Sequence, residues 1–181
     1  MVRQSFAAAA LAAMLLTGCY SAGIYGYDRS YVPLDDEEGA LESARVPPYE
    51  GVRRSPREYL PVPITWFGVV SSTEASPDGA VMVHVGHRIH QERHLCADLE
   101  RETCRVTVSQ RSEGPFTAKL RLRPDDVSGR NRLQPGSLIR AYGRVTGGYD
   151  AEGGPVVSAT YYRHWPRGQY LTTADRSRMR R

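Results

Sequence analysis

Hydrophobic positions along the chain fall into three regimes. Residues 6–16 form one apolar run, Phe6-Ala-Ala-Ala-Ala-Leu-Ala-Ala-Met-Leu-Leu16, and from Tyr20 to about Pro63 no apolar period is sustained. Beyond Pro63, apolar and polar residues alternate in short β-branched runs bounded by turn residues, which predicts strands with one buried and one wet face. The cleanest case is Phe116 to Arg123. Phe116, Ala118, Leu120 and Leu122 face one way, and Thr117, Lys119, Arg121 and Arg123 the other.

Trp66-Phe67-Gly68-Val69-Val70 predicts a first strand, followed by the turn sequence Ser76-Pro77-Asp78-Gly79. Val81, Val83 and Val85 alternate with Met82, His84 and Gly86, and Val106 and Val108 repeat the pattern. Leu138–Val145 and Val156–Arg163 complete the set, with a glycine-rich turn from Gly147-Gly148 to Gly153-Gly154. Five or six such strands are too few for a filled immunoglobulin-type sandwich and suit a small barrel. Gly68, Gly86 and Gly143 inside the strand patterns suggest bulges or sharp bends. The expectation is an all-β chain, a small five- to six-stranded OB-like barrel after a signal peptide and a disordered tether.

The first apolar run is too short to span a bilayer, which takes about 20 residues. With Arg3 before it, the run has the form of an export signal. It ends in Leu16-Thr17-Gly18-Cys19, which resembles the lipobox of bacterial lipoproteins. The resemblance implies cleavage before Cys19 and acyl chains, palmitate among them, on that residue. One such chain binds a bilayer marginally, and two or three anchor firmly. The alternative is an ordinary signal peptide with a chance cysteine.

The chain has three cysteines, an odd number for an exported protein. Without Cys19, Cys96 and Cys104 remain. An oxidising periplasm favours a disulfide between them, worth about 2–3 kcal/mol for so short a loop; two buried free thiols are the alternative. The expected divisions are 1–18 signal peptide, 19–63 lipidated N-terminus and flexible tether, 64–166 barrel, and 167–181 basic tail. A flexible chain as long as that tether has an r.m.s. reach of about 35–40 Å. The competing reading makes its tyrosines, Tyr20, Tyr25, Tyr27, Tyr31 and Tyr49, a docking segment that orders on a partner. The formal net charge is +4, one unit of which is Arg3. Lys119 is the sole lysine, so the basic balance is weak evidence for a nucleic-acid partner. Charge is unevenly placed, with Asp35-Asp36-Glu37-Glu38 near the anchor and Arg176, Arg178, Arg180 and Arg181 at the end. Those arginines, with Arg167, either meet anionic headgroups or form a solvated end.

Trp66 to Val70, Gly114-Pro115-Phe116-Thr117-Ala118, Leu138 to Gly147, and Tyr161-Tyr162-Arg163-His164-Trp165, together with the lipobox, resemble the Slp family of outer-membrane lipoproteins. The histidine-rich, cysteine-bearing segment from His84 to Cys104 departs from that family's pattern. The resemblance implies an envelope protein without a defined reaction. In the sorting logic of enteric bacteria, Tyr20 rather than aspartate after the lipidated cysteine implies the outer membrane, facing the periplasm.

Four of the five histidines lie between His84 and Cys96. In an unbroken strand His84 and His90 stand about 20 Å apart, and His87 projects to the opposite face. Only a helical turn over residues 90–99 brings His90 and His94 together. The expectation is no metal and no cofactor, with His87, His90 and His94 the alternative metal set and His84–Cys96 the alternative ligand-binding segment. Arg140, Tyr142, Arg144, Tyr162, Arg163 and Trp165 are the candidate partner surface, for an envelope protein or glycan. The same arginines and tyrosines suit a single-stranded nucleic acid on an OB-like barrel, which export argues against. Ser109, His164 and Asp125 are the residues a hydrolase could use, but no nucleophile motif surrounds them, and Asp125-Asp126 is expected to cap a turn. The expected function is a non-catalytic, lipid-anchored barrel module that binds or organises an envelope component.

Overall fold

The computed structural model describes Tyr31, residues 33–94 and residues 106–175. It contains strands β1 (Ile64–Ala75), β2 (Val81–Arg88), β3 (His90–His94), β4 (Val106–Val108), β5 (Pro115–Leu120), β6 (Leu138–Tyr149), β7 (Pro155–Trp165) and β8 (Tyr170–Thr172). Among the described residues, three short helices, α1 (Glu38–Ser43), α2 (Tyr49–Arg54) and α3 (Pro124–Val127), and a 3-10 turn at Pro56–Tyr59 accompany them. Among the described residues no helix is long and apolar enough to cross a membrane.

Five strands close into a barrel in the order β1-β2-β5-β7-β6. Neighbours are antiparallel except β5 and β7, which run parallel. Counted among themselves these strands run first, second, third, fifth, fourth and back to the first, which is the OB arrangement. The expected small all-β barrel is therefore the observed fold.

Alternation decides what lies inside. Trp66, Val83, Val85, Phe116, Ala118, Ile139 and Ala141 all belong to the buried interior cluster. A separate three-stranded sheet, β3-β4-β8, lies over the outer face. Its Val106 and Val108 pack with Phe67, Leu138 and Trp165 in a second buried cluster.

Gly143 sits where the β6–β7 register shifts between Tyr142 and Gly143, and a Cβ there would lie 2.0 Å from the Ser158 carbonyl oxygen. A bulge is therefore present beside Gly143, with its extra residue, Thr160, on β7 opposite. Register runs unbroken across Gly68 and Gly86, so neither is a bulge. A Cβ at Gly68 would lie 2.2 Å from Val85 Cγ1, and close packing is the reason for glycine there.

The division expected at residue 63 is corrected. Tyr49 and Val52 of α2 are fully enclosed in the interior cluster, and the Trp66 indole donates to Pro47 O at 3.0 Å. Tyr49 OH donates to Pro115 O at 2.7 Å. Residues 33–63 thus form a strap folded onto the barrel rather than a tether. Two helices of six residues each are too short to show a 3.6-residue period in the sequence. The division at residue 166 also moves, because β8 pairs with β4 from Val106↔Tyr170 to Val108↔Thr172. Residues 176–181 lie outside the described residues.

Candidate functional site

The strap meets the barrel wall at a buried charge cluster. Odd-numbered side chains near the end of β7 and even-numbered ones on β6 face outward here, which brings Arg163 beside Arg140 and Tyr142; Arg140 and Arg163 are a register pair. Glu37, the residue before α1, enters this group and has no solvent exposure. Its Oε2 accepts from Arg163 Nη1 at 3.0 Å and from Leu34 N at 3.2 Å. Its Oε1 accepts from Tyr31 OH at 2.5 Å and also from Tyr142 OH, and lies 3.8 Å from Arg140 Nη1.

The arginines are held from behind. Arg140 Nε donates to Thr65 Oγ1 at 3.1 Å, and its guanidinium lies over the rings of Tyr31, Phe67 and Tyr142 at 4.4, 4.7 and 4.8 Å. Arg163 lies over Trp165 at 4.7 Å and donates to Tyr31 OH at 3.1 Å. Burial, opposed by the Arg163 charge and reinforced by Glu37, holds the Tyr31 phenol well above its usual range. Burial does the same for Tyr142, against the pull of Arg140. Both phenols therefore remain protonated donors to the carboxylate. Nearby, Tyr161 OH donates to Asp36 Oδ1 at 3.1 Å, a second tie between strap and wall.

A separate cluster surrounds Asp126 on α3. Its Oδ1 pairs with His164 Nδ1 at 2.9 Å, and its Oδ2 accepts from Tyr162 OH at 2.5 Å and Arg123 Nε at 2.9 Å. Burial opposes ionisation of Asp126, but the hydrogen bonds from His164, Tyr162 and Arg123 outweigh it and hold the carboxyl well below the usual range. The same burial and the bond to Asp126 push Tyr162 up to about 12. The cluster docks α3 on β7.

The candidate partner surface is therefore largely internal. Arg140, Tyr142, Tyr162, Arg163 and Trp165 are buried, and only Arg144 is exposed, with its guanidinium donating to the Pro61 and Leu60 carbonyls of the strap. As a free docking face that set is corrected: the strap covers Arg140, Tyr142 and Arg163, the β3-β4-β8 sheet covers Trp165, and Tyr162 belongs to the barrel interior.

His87 and His90 of the alternative metal set are not brought together either. The strand expected to run from His84 through His90 breaks at Ile89, and β3 joins a different sheet. His87 points inward, its ring centroid 5.3 Å from Tyr49 and 5.1 Å from Trp66, while His90 stacks on Phe67 at 4.7 Å. Burial lowers the His87 pKa to about 4, so the ring is neutral. The His94 side chain lies outside the described groups. Ser109 Oγ donates to Arg111 O and accepts from Ile89 N, both at 2.9 Å, and His164 is paired with Asp126 rather than Asp125. Cys19, Cys96 and Cys104 lie outside the described residues.

Sequence reasoning missed Glu37 and Asp126. Each sits in an acidic run whose members look alike until burial separates them. No protein-family model and no curated protein matches the chain.

Proposed function

We propose that this chain is a lipid-anchored outer-membrane lipoprotein of Slp type whose barrel faces the periplasm and serves as a non-catalytic module that binds or organises an envelope component. The observation that carries the reading is the fastening of the strap. Tyr31 and Glu37 are held in the barrel wall, so the acylation site at Cys19 lies only twelve residues before the first described contact. As a flexible chain those residues have an r.m.s. reach of about 20 Å, against about 35–40 Å for the expected tether. A lipid on Cys19 therefore holds the barrel at the membrane surface instead of releasing it on a long leash.

Non-catalytic character is supported by how the polar groups are used. The Asp126–His164 pair is enclosed by Tyr162 and Arg123, and the Ser109 hydroxyl is committed to backbone groups. Mass spectrometry of the mature N-terminus tests the anchor: an acylated Cys19 is expected, and Cys19→Ser is expected to move the protein from the membrane to the soluble fraction. An unmodified N-terminus, or unchanged fractionation of the variant, would overturn the reading.

A further inference from the structure

Next to the strap's α2, whose Tyr49 OH donates to Pro115 O and whose Arg53 O accepts from Tyr149 OH, four elements bring side chains to one cleft of about 420 Å³. His84 stands on the outer face of β2 and is paired in register with Thr117 of β5. Asp150 and Glu152 come from the β6–β7 turn, and Glu74 from the end of β1. One ligand atom from each of His84, Asp150 and Glu152 lies within 4.8 Å of the other two. His84 Nδ1 is 3.7 Å from Glu152 Oε2 and 3.0 Å from Thr117 Oγ1. Thr117 Oγ1 in turn donates to Asp150 Oδ2 at 2.6 Å.

The turn prepares Asp150 for this position. Its Oδ1 accepts from Gly154 N at 2.7 Å and Glu152 N at 3.1 Å, which leaves Oδ2 aimed at His84 and Thr117. The far side of the imidazole carries an independent sign. His84 Nε2 is buried without a hydrogen-bond partner, and Glu74 Oε2 stands 3.9 Å from it. An imidazole with one nitrogen toward a carboxylate pair and the other backed by a third carboxylate is the arrangement of a metal-bound histidine with its orienting acid.

We propose that His84, Asp150 and Glu152 bind a divalent transition-metal ion such as zinc, with Glu74 as a positioning residue behind His84. Nδ1 and one oxygen from each carboxylate supply three ligands, and the cleft leaves room for water at the fourth. The imidazole favours zinc over calcium or magnesium, which prefer all-oxygen sets. Two carboxylates and a neutral histidine balance the ion's charge. The site is distinct from the expected His87, His90 and His94 set and does not depend on the lipid-anchor reading.

Zinc alone, titrated by calorimetry into the full mature chain in detergent, tests it. One zinc per chain is expected. Glu74→Gln is expected to weaken binding about 10- to 100-fold, and Glu152→Gln or His84→Ala at least as much. Glu152 is exposed on its turn, so E152Q keeps the fold, and an unchanged thermal midpoint without zinc checks this. A double His90→Ala, His94→Ala variant should bind as the parent does. Cobalt in place of zinc should give the visible bands of a bound ion, lost in E152Q. No heat at micromolar zinc, or binding that survives both H84A and E152Q, would overturn the proposal, as would binding lost only in the His90/His94 variant.

Discussion

A carboxylate without solvent contact needs its neighbours to replace the water it has lost. Glu37 has two arginines, two phenols and a backbone amide in that role. Removing one partner of a buried pair strands the other, at a cost of about 3–5 kcal/mol. Glu37→Ala is therefore expected to lower the urea-unfolding free energy by about that much, and a loss under 1 kcal/mol would contradict the buried pairing. His87 makes a second prediction. Its folded pKa is about 4 against about 6.5 unfolded. Between those values the unfolded chain holds a proton that the folded chain lacks, so stability is full above about pH 6.5 and falls as pH drops toward 4. The loss is up to about 3 kcal/mol. His87→Phe should flatten that limb in urea titrations at stepped pH, and an equal slope in the variant would refute the assignment. Asp126, whose carboxyl is depressed, loses its contribution only below about pH 4, outside this window. The burial of these residues was not legible beforehand, although the sequence singles out His87 and Asp126 for other roles. Asp35 to Glu38 reads as one solvated acidic run, and only the fold withdraws Glu37 from water.

At the scale of elements, the strands were legible where one face is buried and the other wet. The runs at Val81–Val85, Leu138–Val145 and Val156–Arg163 fall within observed strands, and the run expected over Phe116–Arg123 does so as far as Leu120, where β5 ends. What escaped was structure without alternation. β1 continues through Ser71 to Ala75 with residues 71–75 exposed, so no apolar period marks its end. β8 is three residues long and takes its partner from β4, far away in sequence. Glycine inside a strand pattern marked close backbone approach at Gly68 and Gly143 alike, and a register shift only beside Gly143. Gly143→Ala would place a methyl against the Ser158 carbonyl, and a loss of about 1–3 kcal/mol is expected in thermal or urea unfolding. The β3–β4 ladder also bears on the cysteines. It pairs His94 with Val106, and Cys96 and Cys104 each lie two residues beyond those positions. The expected disulfide predicts that thiol labelling of the unreduced, exported protein finds neither residue. Labelling of both would contradict it.

The molecule as a whole is a barrel with covers on its outer wall and a plug in its interior. The β3-β4-β8 sheet covers Phe67, Leu138 and Trp165, α2 inserts Tyr49 and Val52 into the core, and the strap's Glu37 closes over Arg140 and Arg163. The barrel class followed from strand count and alternation. The strap did not, because its buried residues are sparse and separated by prolines, a pattern that composition alone assigns to a linker. The consequence for the proposed anchor is mechanical: only the residues between Cys19 and Tyr31 would separate a lipid on Cys19 from the barrel. Hydrogen–deuterium exchange on the lipidated protein in vesicles tests this most directly. Peptides covering residues 34–60 are predicted to exchange as slowly as those of β1 and β6, and Glu37→Ala is predicted to speed them. Exchange of that segment at the rate of an unfolded chain would show a tether after all.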